Sequence, residues 1–129
     1  MLGCTVESNQ QDFELHWTAR NTPGGRIVQA FGQVDAHNEA GWQRMLAEST
    51  AATPPASVLV IDCAALDFMS CGALVALAKQ SVDSRQQGIT VRLVIGLRSI
   101  RRIITECGLD DSISAYPDLD SALGGSNPP

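Results

Sequence analysis

Several things are scarce in this 129-residue chain, and each scarcity removes a class of protein. Lysine occurs once, at Lys79, so eight of the nine basic residues are arginine, and fourteen acids leave a net charge of −5. A phosphate backbone rewards positive surfaces, so direct nucleic-acid binding is not expected. No apolar run approaches the length of a membrane span, and the first twelve residues lack the basic start and apolar stretch of a signal peptide. The chain is therefore expected in the cytoplasm, away from membranes. Four cysteines, Cys4, Cys63, Cys71 and Cys107, stand 59, 8 and 36 residues apart with no CxxC among them. Those spacings argue against structural zinc, and a reducing compartment keeps such thiols free at rest. Neither GxGxxG nor a Gly-rich phosphate loop occurs, and Gly24-Gly25 has no helix directly behind it. No metal or cofactor is implied.

What remains is an ordinary globular composition, 44% apolar and 18% charged, in a chain long enough to bury a core without disulfides. Phe13-Glu-Leu-His-Trp17 alternates like a half-buried strand. A slightly long turn at Asn21-Thr-Pro-Gly-Gly25 leads to a second strand, Ile27 to Phe31. Asn38 then caps a helix carrying Trp42, Met45 and Leu46, which Thr53-Pro-Pro55 ends. Ser57 to Ile61 is an unbroken apolar run, the mark of a strand buried on both faces. Leu74, Leu77, Ala78 and Val82 mark a helix from Cys71 to Gln87 with Gly88 as its stop. A strand from Thr90 to Ile95 follows, and a helix from Arg98 or Ser99 with Ile100, Ile103 and Ile104 that Gly108 closes. A short strand, Ile113 to Tyr116, and a last helical turn or two from Pro117 to Leu123 complete the pattern. The expectation is one α/β domain over 1–129, with a loose arm at 1–11, a core at 12–123 and a loose tail at 124–129. Alternating strands and helices imply a central mixed, mostly parallel sheet with helices packed against it.

Three ordered segments resemble the STAS family, the domain of bacterial anti-sigma factor antagonists. Gly32-Gln-Val-Asp35 is similar to that family's Gly-Glu-Leu-Asp. Val58-Leu-Val-Ile-Asp62, followed by Leu66-Asp-Phe-Met-Ser-Cys-Gly-Ala-Leu74, resembles its phospho-acceptor turn, and Arg101-Arg-Ile-Ile-Thr-Glu-Cys-Gly-Leu-Asp110 resembles its helix ending in Thr-Gly-Leu. The resemblance implies a module that binds an anti-sigma factor of histidine-kinase-like ATPase fold, releasing a sigma factor without catalysis. Its partner surface would comprise Asp35, His37, Asn38, Asp67, Ser70, Cys71, Gly72 and Leu74. Many members are switched off by phosphorylation of a serine in Phe-(Ile/Met)-Asp-Ser-Ser-Gly-Leu. Aligned without gaps, Cys71 takes the place of that serine and Ser70 that of the preceding Asp. A one-residue shift would make Ser70 the acceptor, but would take Leu74 out of its core register.

Position alone gives Ser70 and Cys71 a second reading. A strand-to-helix turn puts them at a helix N-terminus, where unpaired N–H groups favour negative charge and hence a Cys71 thiolate. There Ser70 can serve simply as an N-cap and Cys71 as a small inert residue. With Cys107 ending the next helix, a reversible Cys71–Cys107 disulfide is the candidate replacement for phosphorylation. Cys63 is expected in the core and Cys4 on the arm. Arg85, Arg92, Arg98, Arg101 and Arg102 put five of nine basic charges into 18 residues. They read either as an edge for an acidic partner or as a solvated face balanced by Glu106, Asp110 and Asp111. Two other functions stay open: a sensor or scaffold that binds a small ligand or assembles a signalling complex, and a thiol enzyme with Cys71 as nucleophile. The assembly expected is a monomer or weak dimer.

Overall fold

A computed structural model describes residues 7–8 and 15–124. Among the described residues, six strands form one sheet in sequence order: β1 (Glu7–Ser8), β2 (Leu15–Thr22), β3 (Gly25–Val34), β4 (Val58–Met69), β5 (Thr90–Val94) and β6 (Ser114–Tyr116). Four helices accompany them: α1 (Glu39–Ala51), α2 (Cys71–Arg85), α3 (Arg98–Glu106) and α4 (Leu119–Leu123). β1, β2 and β3 pair antiparallel, and β3 through β6 run parallel. The expected mixed α/β sheet is thus present, with one strand more than the pattern predicted. Glu7 and Ser8, read as part of a loose arm, pair with Ala19 and Thr18 at the sheet edge; two residues are too short a run to show alternation. Phe13, expected to open the first strand, lies outside the described residues.

Because the parallel strands lie side by side in chain order, right-handed crossovers send α1, α2 and α3 to the same face. Alternation along the strands bears this out. Val28, Leu59, Ile61, Val91 and Leu93 join Trp42, Met45, Leu46, Leu74, Leu77, Ile100 and Ile104 in the main core. Their neighbours Ile27, Val60 and Val94 point the other way and, among the described residues, pack with Tyr116 of β6 and Ala122 of the short α4, with Val58 and Leu119 alongside. α1 and α2 are locked by the buried Trp42 indole, whose Nε1–H donates to the carbonyl of Ala73 at 3.0 Å.

The hairpin turn is tighter than expected. Thr22 pairs with Gly25, leaving only Pro23 and Gly24 as the loop, because Asn21 and Thr22 continue the ladder and the Asn21 side chain accepts from Arg26 at 2.9 Å. β4 ends eight residues further on than expected, at Met69 rather than Ile61. Against β3 it carries two extra residues, at shifts between Gln29 and Phe31 and between Gly32 and Gln33. Gly32 sits there at φ +97°, a conformation that favours glycine. The bulges break the period of two, so Leu66 and Met69 are buried while Asp67 and Phe68 are both exposed. Val82 of α2, read as a core position, faces outward, and Ser81 and Ser84 are buried in that stretch instead. Gly108 ends α3 at φ +70°, with Gly108 N–H donating to Thr105 and Leu109 N–H to Ile104.

Replacing Trp42 with Phe removes the α1–α2 hydrogen bond and leaves a small void. The expected cost is about 2 kcal/mol, read as a lower midpoint in urea with an unchanged slope.

Candidate partner-binding site

The carboxyl end of β4 runs directly into α2. Ser70 holds extended backbone (φ −72°, ψ 161°), its N–H donates to the carbonyl of Val34 at 2.9 Å, and its Oγ accepts from Ala73 N–H at 3.2 Å. It is therefore a true N-cap. The same hydroxyl donates to Oε2 of Glu39, the first residue of α1, at 2.8 Å. That carboxylate lies so close to Gly72 that a Cβ there would stand 2.5 Å from Oε2 and 2.6 Å from Oε1. The opening of α2 thus has an acid from α1 lodged against it, in the place where helix N-termini attract anions. Glu39 was not among the expected site residues. In sequence it is an unremarkable first-turn acid 31 residues from Ser70, and only the sheet brings the two together.

Cys71, the first residue of α2, and Cys107, just past the end of α3, are both exposed and both free thiols. The structure brings them together. The Cys107 thiol is pushed up by local desolvation, then by the charge of Cys71, by a hydrogen bond to the Cys71 side chain and by Glu106. Cys63 is buried in the core as expected, and burial, with the Asp62 charge adding, pushes its thiol well up. Cys4 lies outside the described residues.

Two expected surface residues are not at the surface. Leu74 is fully buried, at 0% exposure, because it is one of the α2 residues that fill the core. The apolar side chains that are available beside the turn are its neighbour Val75, 54% exposed, and Phe68, 49% exposed. Asn38 is 4% exposed and spends its amide inside the 35–38 turn. Its Oδ1 accepts from Asp35 N–H at 2.8 Å and its Nδ2 donates to Gln33 at 3.0 Å. It precedes α1 but makes no side-chain cap bond to it. Asp35 is half-buried and accepts from His37 N–H at 2.9 Å, which leaves His37 itself exposed. Asp67 and Cys71 are exposed, and Ser70 and Gly72 partly so.

The arginines are largely a solvated face. Arg102 pairs with Glu106 at 3.0 Å within α3, both well exposed, and Arg85 donates to the carbonyl of Asp111 at 2.9 Å. Arg98, Arg101 and Arg102 line an open groove of about 630 Å³ that also contains Asp110. Among the described residues no group of three His, Cys, Asp or Glu could hold a metal, and no helix is long and apolar enough to cross a membrane.

The STAS domain family profile matches residues 16–122. This chain belongs to the STAS-domain family. It is 39% identical over 109 residues to the anti-sigma-F factor antagonist RsfA of Mycobacterium tuberculosis, covering 84% of this chain and 85% of that one. A putative anti-anti-sigma factor of the same organism is 35% identical over 113 residues, 84% and 76% of the two chains. Among solved structures, an anti-sigma factor antagonist from Mycobacterium paratuberculosis superposes with a TM-score of 0.70 at 24% identity, over 95% of this chain and 92% of that one. The STAS fold is thereby established for this chain.

The Glu39–Ser70 contact makes a specific prediction. Gly72→Ala should displace the flexible Glu39 carboxylate and be neutral or slightly stabilising through helix propensity. Glu39→Ala should cost about 1 kcal/mol more in the natural background than in Gly72→Ala. A double-mutant cycle by urea unfolding measures that coupling, and a value near zero would show the contact to be idle.

Proposed function

We propose that this STAS domain is an anti-sigma factor antagonist. It binds an anti-sigma factor of histidine-kinase-like ATPase fold stoichiometrically, without catalysis, and so frees a sigma factor to activate transcription. The observation that carries the reading is the exposed α2 turn, Asp67 and Phe68 running into Cys71 and Val75, in a chain 39% identical to a protein named as such an antagonist. The partner surface centres on residues 67–72, with Val75 as apolar contact and Asp35 and His37 as rim. It works as a monomer or weak dimer in the cytoplasm.

Control at this site is through thiols rather than a phosphoserine. Cys71 replaces the acceptor, and Ser70, the alternative acceptor, has its hydroxyl committed to Glu39 and to the α2 cap. A phosphoryl group on Ser70 would set two anions against each other. Oxidation by a small disulfide balances simply. The Cys71 sulfur attacks it and releases one thiol, and Cys107 then attacks the mixed disulfide, releasing the second thiol and closing the Cys71–Cys107 bond. The protein gives up two protons and two electrons, which leave as two small thiols. The new bond ties the start of α2 to the end of α3 across the partner surface.

The test is capture from native lysate on the immobilised chain, under reductant and again under oxidised glutathione. A kinase-fold anti-sigma factor identified by mass spectrometry in the reduced arm and lost in the oxidised one is the expected result. Cys71→Ser and Cys107→Ser should each abolish the oxidant effect, and Val75→Glu should weaken the reduced complex about tenfold. Empty columns in both arms, from folded protein, would overturn the antagonist reading. Equal capture in both would overturn the thiol switch alone.

A further inference from the structure

The face of the sheet opposite α1–α3 carries a different feature. α4 has five residues and spans about 7 Å, too little to cover four strands. Beside it a cleft of about 330 Å³ runs to the β2–β3 turn. Its lining includes a cross-strand row whose centre, Ile27 and Val60, is buried, together with half-buried Val58, exposed Pro23 and the buried Arg26, which is bonded to Asn21. Arg20 of β2 is in register with Ile27 of β3, Ile27 with Val60 of β4, and Val60 with Arg92 of β5. Two apolar residues are thus flanked by two guanidiniums, about 14 Å apart at their Cα atoms, three strand spacings. Ala122 and Leu123 of α4 form the opposite wall.

The two arginines differ in what they already do. Arg92 is held, its Nη1 donating to the carbonyl of Ala122 at 2.6 Å and its guanidinium lying 5.6 Å from the Tyr116 ring centre. Among the described residues the Arg20 side chain makes no hydrogen bond or ion pair. Among the described residues no carboxylate lines the cleft, in a chain whose net charge is −5. A concave apolar floor with a few converging polar groups is the usual form of a small-molecule site, and low-dielectric walls strengthen the attraction of a cation for an anion.

We propose that this cleft binds a small apolar monocarboxylate, its carboxylate on Arg20 and its hydrocarbon against Val58, Pro23 and Leu123. At about 30 Å³ per non-hydrogen atom there is room for about ten such atoms, the size of octanoate. The site lies on the face away from Cys71, so it stands or falls separately from partner binding.

The test is titration of the isotope-labelled chain with octanoate, octanol and inorganic phosphate, followed by backbone amide shifts. Octanoate should give saturable shifts at Thr22, Gly24 and Ala122, and phosphate alone should not. Octanol should bind at least about fivefold more weakly, because it offers no charge to Arg20. Arg20→Gln should weaken octanoate about fivefold and Arg20→Lys about twofold or less, with amides elsewhere unmoved. No saturable shift, shifts confined to the α2–α3 side, equal affinity for octanol, or indifference to Arg20→Gln would each overturn the proposal.

Discussion

Right-handed crossover between neighbouring parallel strands is the constraint on which everything else in this molecule rests. With β3 to β6 in chain order, it assigns α1, α2 and α3 to one face and leaves the other to α4. It also gathers the openings of α1 and α2 at the carboxyl ends of β3 and β4. Glu39 and Val34 therefore meet Ser70, and Glu39 meets Gly72, although up to 36 residues separate them. The α2 turn and the cleft beside α4 are two consequences of one topological choice.

At the α2 turn, local chemistry refines what topology supplies. Ser70 satisfies an orphan N–H of the helix and ties down Glu39 with its own proton. A carboxylate held at that end brings negative charge to the position a helix favours for it, and glycine at 72 is what lets it approach. Cys71 and Cys107, outside this contact, remain exposed and adjacent. The bulges of β4 add exposed neighbours, since they turn Asp67 and Phe68 outward together. The site is thus a hydrogen-bonded cap with exposed thiols and apolar groups set around it.

Much of this was legible in the residues, and the failures have physical causes. Helices bounded by Pro54, Gly88 and Gly108, and strands made of Val, Ile and Leu runs, declare themselves locally. So does the N-cap role of Ser70. The extension of β4 through Ala64, Ala65 and Asp67 does not, because those residues have little strand preference and owe their pairing to β3. Leu74 and Val75 are adjacent and both apolar, and only the rotation of α2 against the sheet decides that the first fills the core and the second meets solvent. Asn38 looks like a surface cap because asparagine usually is one; here its amide closes the turn before α1. Glu39 and the Arg20–Ile27–Val60–Arg92 row were invisible in principle, being contacts between distant segments with no short-range signature.

The central claim is stoichiometric release of a sigma factor, and transcription in vitro tests it most directly. RNA polymerase with its sigma factor, silenced by the anti-sigma factor, is titrated with the reduced chain while transcript is counted. The account predicts recovery that rises in proportion to added protein and saturates near one chain per anti-sigma factor. Full recovery from a small fraction of an equivalent would mean turnover and contradict it, as would no recovery from folded, reduced protein in excess.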